Sequence, residues 1–111
     1  MSERRDRKHL AFVRGLVCCV CLRTDTIEAC HIRKGLPNHL KGGMGLKPPD
    51  CVTIPMCHYH HSFNHSKGDI SFWGDMQQPI NLAAYLWEIR FDRDKAIKAI
   101  LEFNRVFRNQ K

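Results

Sequence analysis

The residues best suited to chemistry are two spaced pairs, Cys18-x-x-Cys21 and Cys57-x-x-His60. Two ligands three residues apart can grip one ion from a tight turn or a helix start, and two such pairs complete a tetrahedron around Zn²⁺. The chain has six Cys and seven His, and all but His9 fall between Cys18 and His65. In an intracellular chain that concentration points to metal rather than to disulfides. The spacer between Cys21 and Cys57 far exceeds the roughly 12 residues of a DNA-reading finger, so the intervening segment has work of its own. Buried, unligated Cys beside a surface His is the alternative, and a matched pair of half-sites argues against it.

Other candidates remain once these four hold a structural zinc. His61 and His65 stand one helical turn apart, so both imidazoles face the same way and can chelate a divalent ion. His31, on a neighbouring strand, can stand across that ion as a general base, a task suited to a group titrating near pH 6.5. Lys47, Arg33 and Lys34 can bind phosphate around such a site, although Lys47 reads equally well as a solvated loop lysine. Arg4, Arg5, Arg7 and Lys8 form a basic arm expected to touch phosphates without reading sequence.

These residues must be positioned by a few short elements. Residues 1–14 read as a basic arm running into a short helix. Residues 26–33 and 51–56 read as strands, the second ending or lying at an edge because of Pro55. The Gly- and Pro-rich stretch 35–49 is a loop. A helix from Cys57 to about Asn64 places Cys57, His60 and His61 within one turn, with His65 one turn further. A short turn or helix follows around Phe72 and Trp73. Asn81 is the expected N-cap of a helix over 82–90 and Asp92 of one over 93–107, whose stripe of Ala96, Ile97, Ile100, Leu101 and Phe107 docks on the core. Cys19 and Cys51 read as small core residues, His9, His39 and His58 as surface residues, and Trp73, Tyr85 and Trp87 as packing residues rather than base-stacking ones. The organisation expected is a basic arm and short helix over 1–17, a metal-bearing core over 18–68, and a helical segment over 69–111 packed on that core.

The order strand–loop–strand–helix, with one His on the first strand and two on the helix, resembles the His-Asn-His (HNH) nucleases and their ββα-metal finger. The resemblance covers residues 10–75 or so and is nearest to small phage and prophage proteins, including the recombination-enhancement nucleases. It is carried by RDRKHLAFVRGLVCCVC (5–21), Cys30-His31-Ile32-Arg33, GGMGLKPPD (42–50) and IPMCHYHHSFNH (54–65). It implies an α+β fold, His31 as the water-activating base, His61 and His65 as ligands of a catalytic divalent cation (Mg²⁺, Mn²⁺, Zn²⁺ or Ni²⁺), and a structural zinc on Cys18, Cys21, Cys57 and His60. Asp50 stands where the family has its middle Asn, and either orients His31 or ligates metal. Cys30 precedes the base where many members carry a His or Asp ligand; a thiolate there suits Zn²⁺ or Ni²⁺ better than Mg²⁺.

Composition narrows the classes further. At 111 residues the chain is too short for a dinucleotide-binding or barrel enzyme, and its 43% hydrophobic content excludes a mainly disordered one. The longest apolar run, residues 16–22, cannot span a bilayer, and the N-terminus has no signal-peptide pattern, so a cytoplasmic protein without a membrane partner is expected. Eighteen Lys and Arg against 11 Asp and Glu leave a net charge of +7, which suggests a polyanionic partner. The reading is a metal-dependent DNA endonuclease with little sequence specificity. The alternative is a non-catalytic zinc module that binds DNA or a recombination or phage replication protein.

Overall fold

A computed structural model describes residues 5–36 and 48–110. The elements run α1 (Arg7–Arg14), β1 (Ile27–His31), β2 (Thr53–Cys57), α2 (His58–Lys67), α3 (Asp69–Trp73), α4 (Gln77–Glu88) and α5 (Arg93–Asn109), an α+β arrangement. Helix α1 begins where the Asp6 side chain accepts a hydrogen bond from the His9 N–H at 3.0 Å, and α5 begins where Asp92 does the same for Lys95 at 3.2 Å. Such caps satisfy amides that the first turn leaves without helical partners.

Strands β1 and β2 pair antiparallel, with Cys30 opposite Ile54 and His31 opposite Thr53. All five β2 residues are buried. Pro55 does not end the strand, which runs on to Cys57. In a two-stranded sheet each strand has an outer edge, where a missing N–H breaks no ladder bond. The Pro55 carbonyl there accepts a bond from the Cys19 amide at 3.0 Å, which docks the Cys18–Cys21 turn against the sheet.

Helix α2 leaves β2 directly and runs longer than the expected Cys57–Asn64 span. It stops at Gly68, whose φ of 91° favours a residue without a side chain and whose N–H bonds the Asn64 carbonyl at 2.8 Å. Helix α4 starts at Gln77 rather than after Asn81. Pro79 lies in its first turn, where the lost amide would have had no helical partner, so proline admits the helix there instead of breaking it. Asn81 is consequently an exposed interior residue bonded to Gln77.

The core gathers Leu16, Ile32, Ile54, Met56, Leu86 and Ile100 from helices and sheet alike. On α5, Ala96, Ile100 and Phe107 are buried as the stripe requires, but Leu101 is exposed and Asn104 takes an inward position. Trp73 and Cys19 are in the core, His58 is exposed, Cys51 is half-buried, and Tyr85 is exposed rather than packed. His39 lies outside the described residues. Among those residues no helix is long and apolar enough to cross a membrane.

His9 is the clearest departure. Instead of facing solvent it is fully buried, with its ring edge-on to Trp87 at 4.9 Å and, among the described residues, no hydrogen-bond partner for either ring nitrogen. Burial lowers its pKa, outweighing the opposite pull of Asp6. Its protonated form is thus favoured in the unfolded chain, so the contribution of neutral His9 is complete above the ordinary value of about 6.5 and is lost as pH falls through the lower, folded-state value. Replacing His9 with Phe should flatten that fall in melting temperature below pH 6.5 or so. An unchanged pH profile in His9→Phe would count against this account.

Candidate metal centre and histidine cleft

The Cys18–Cys21 turn is shaped by its own backbone. The Cys18 amide donates to the Arg23 carbonyl at 2.9 Å, and the Leu22 amide to the Cys18 carbonyl at 2.8 Å. Leu22 takes a φ of 65° to close the loop. The Val20 amide points at the Cys18 Sγ at 3.4 Å. Cys57 ends β2 opposite Ile27, and the first turn of α2 then carries His60 back over it. Asn104, far along the chain on α5, clamps the turn from behind by donating to the Cys19 and Val20 carbonyls at 3.2 and 2.7 Å.

One Sγ or ring nitrogen from each of Cys18, Cys21, Cys57 and His60 lies within 4.8 Å of the others. Cys21 and Cys57 Sγ are 3.9 Å apart, and His60 Nδ1 is 3.3 Å from Cys57 Sγ and 3.9 Å from Cys18 Sγ. The edges of a tetrahedral thiolate–imidazole site are about 3.6–3.8 Å long for metal–ligand bonds of about 2.0–2.3 Å. The four residues therefore form a cluster that can hold a metal ion.

The electrostatics agree with that use. Burial raises the Cys18 pKa, but backbone amides of Cys57, Cys21 and Val20 outweigh it, and the thiol ends below its ordinary value. Desolvation and then the neighbouring sulfurs push Cys21 up to about 11. Three thiolates this close repel one another, and a bound cation is what lets them ionise together. Burial, followed by the charge of Arg23, lowers the His60 pKa and favours the neutral imidazole that a metal requires.

A second constellation lies at the other end of the sheet. A cleft of about 140 Å³ is lined by His31, Arg33 and Lys34 on one side, His61 and His65 on the other, with Cys30, Asn64 and Asp69 among its remaining wall residues. His31 ends β1, and its Nε2 meets Asp50 Oδ1 at 2.9 Å. Asp50 is 1% exposed and does not line the cleft. Its Oδ2 accepts the Asp6 amide at 2.8 Å, and its Oδ1 also meets Arg5 Nη1 at 3.3 Å. Burial pushes the carboxyl up, yet the Asp6 amide, His31 and Arg5 together hold its pKa below the ordinary value. Of the two roles open to Asp50, its position behind His31 favours orientation over metal ligation. Arg5 of the basic arm thus also meets a protein carboxylate.

His61 is oriented from β1. Its Nδ1 lies 2.7 Å from Glu28 Oε1, while Glu28 Oε2 meets His58 Nδ1 at 2.9 Å. A carboxylate that accepts Nδ1–H leaves Nε2 as the coordinating nitrogen, the usual way such partners set a histidine ligand. Cys30 is not poised to bind a hard cation. Its thiol is buried beside the Asn64 Oδ1 at 3.6 Å, and burial pushes its pKa up to about 12. Asn64 in turn donates to Asp69 Oδ1 at 3.1 Å, and Asp69 Oδ2 accepts the Arg33 amide at 2.9 Å, which ties α2, α3 and the end of β1 into one wall.

The candidate residues thus fall into two groups. Cys18, Cys21, Cys57 and His60 meet in one cluster; His31, His61, His65, Arg33 and Lys34 border one cleft, with Asp50 behind His31. Among the described residues only the first group brings three or more ligand atoms within 4.8 Å of one another. Lys47 lies outside the described residues. Glu28, Asn64, Asp69, Arg5 and Asp6 were missed as site residues; alternation along β1, which puts Glu28 on the same face as Cys30, is the one signal that could have drawn Glu28 in. Comparisons of the chain with protein-family models, curated proteins and solved structures return no match.

Proposed function

We propose that this protein is a metal-dependent endonuclease of the HNH type that hydrolyses DNA phosphodiester bonds with little sequence specificity. The observation that carries the reading is a strand histidine, His31, held by a buried carboxylate at the rim of a cleft whose far side bears His61 and His65. The order β1–β2–α2 supports a ββα-metal finger, and the Cys₃His donor set suits Zn²⁺ in a closed structural site. A phage or prophage origin, with DNA as substrate and a recombination or replication protein as a further partner, belongs to the same reading.

His31 takes the proton from the attacking water, and Asp50 keeps its ring in one orientation and tautomer while stabilising the imidazolium that forms. His61 and His65 would hold a divalent cation, which supplies charge stabilisation at the scissile phosphate and the departing 3′ oxygen. Glu28 fits His61 for that role by fixing its tautomer. Arg33 and Lys34, both exposed at the cleft, draw in the phosphate backbone.

The test is plasmid nicking with Mg²⁺, Mn²⁺, Zn²⁺, Ni²⁺ or no added metal, set against His31→Ala. The competing reading, a zinc-bearing binding module without catalysis, draws on the fact that among the described residues the Cys₃His cluster is complete while His61 and His65 gain no third ligand. It requires DNA binding with no metal-dependent nicking.

The N-terminal arm supplies a further expectation. A chain lacking residues 1–6 loses the Asp6 amide and Arg5 from Asp50, and with Asp6 the cap of α1. Hydrogen bonds to charged groups contribute about 1.5–3 kcal/mol, so kcat should fall roughly tenfold or more. Metal content should stay the same. A truncated chain that binds DNA more weakly but turns over at the full rate would show that the arm only contacts phosphate.

A further inference from the structure

We propose that the outer face of α2 is a stacking platform for unpaired bases of a DNA strand. Tyr59 and Phe63 are large aromatic residues yet stand 65% and 47% exposed. Being four residues apart, they share one face of the helix, with their rings 6.3 Å apart and 25° from parallel. Lys67, the next residue on that face, holds its ammonium 5.7 Å from the Phe63 ring centre. Two exposed aromatic rings with a cation at one end are the components of a sequence-tolerant single-strand site, in which bases stack and the cation meets a phosphate.

The platform is rigidly rooted. Phe63 stands edge-on to buried Phe72 at 5.8 Å, and Tyr59 edge-on to the ring of His60 at 5.0 Å. One ring therefore rests on the core and the other on the ring of His60. An exposed aromatic pair alone would suit a protein partner equally. Charge decides for nucleic acid: Lys67 lies on the face, the chain carries +7, and both oxygens of Asp69 on α3 are engaged by Arg33 and Asn64. Residues 59, 63 and 67 sit about half a helical turn from His61 and His65, across a helix some 10–12 Å wide. A single strand leaving the cleft can cross that distance, whereas a duplex keeps its bases stacked inside and offers the platform only phosphates. The inference rests on DNA being the ligand, as in the proposed function, and not on the chemistry in the cleft.

The test measures fluorescence anisotropy of labelled oligothymidylate and of a labelled duplex of the same length. His31→Ala serves as the background, with no chelator and no added divalent ion, so that neither cleavage nor loss of the cluster metal intervenes. Base–aromatic stacking changes affinity by about five- to a hundredfold per ring. Tyr59→Ser, which leaves the Phe63–Phe72 contact untouched, should weaken oligothymidylate binding by at least about fivefold, Tyr59→Ser/Phe63→Ser should weaken it further, and duplex affinity should stay within about twofold. Tyr59→Trp should retain oligothymidylate binding. Equal losses on both DNAs, unchanged oligothymidylate affinity in both Ser variants, or no oligothymidylate binding by the background protein would overturn the platform. Failure of the nuclease reading shows elsewhere, as absence of metal-dependent nicking by the unaltered chain.

Discussion

His31→Ala is expected to fold, keep its metal and bind DNA, yet nick plasmid about 10²–10⁴-fold more slowly than the unaltered chain, the usual loss when a general base is removed. The separation of effects follows from the structure. His31 stands at the end of β1, half-buried, and contributes to no core cluster, whereas Asp50 behind it is held independently by the Asp6 amide. Removing the imidazole frees one Asp50 oxygen that Arg5 still meets, so little stability should be lost. His61→Ala should also lose nicking, through weaker divalent-ion binding, and excess ion should partly restore it. Contaminating nuclease is the obvious trap, so melting temperature, metal content and activity must be measured on the same preparation. Nicking that survives in well-folded His31→Ala would remove the catalytic reading, and nicking absent from the unaltered chain with every metal would favour the binding module.

Cys57→Ser should have the opposite signature, a failure of folding rather than of turnover. Structural zinc contributes on the order of 10 kcal/mol, comparable to the whole stability of a small domain. Cys57 is fully buried, ends β2 and faces both Cys21 and His60, so its loss removes a ligand and leaves a hydroxyl in the core. The purified chain should carry close to one tightly bound equivalent of metal, and Cys57→Ser should carry much less and show no cooperative melting transition. A metal-free preparation with an unchanged melting curve would refute the assignment of the cluster.

Much of the framework could be read from local pattern. Metal half-sites declare themselves because three-residue spacing is a property of one turn, and the amphipathic stripe of α5 because one helix face must meet the core. The α+β fold class came from the resemblance to the HNH nucleases, on elements read from local pattern. What escaped depends on contacts distant in sequence. His9 looked like a surface residue because its type is polar, and only the packing of α1 on Trp87 buries it. Asn81 looked like a cap because its residue type suits one, yet α4 begins four residues earlier, where a first-turn proline lacks nothing the helix needs. Leu101 lies at the margin of its stripe, and Asn104 points inward because the Cys18–Cys21 turn presents bare carbonyls to α5. Glu28 and the Arg5–Asp6 segment act on histidines that only the folded sheet brings near them.

The clamp of Asn104 on the Cys18–Cys21 turn bears on how the chain assembles. Both ligand pairs lie in the first 60 residues, one at each end of the segment that forms the sheet, so an ion bound by all four closes that segment into a loop much as a covalent cross-link would. Such a closure removes about 4 kcal/mol of chain entropy from the unfolded ensemble, and strand pairing inside the loop then starts from ends already together. Residue 104 leaves the ribosome well after residue 60. A nascent chain can therefore capture its ion before α5 exists, and Asn104 arrives last to bond the carbonyls of a turn that is already closed.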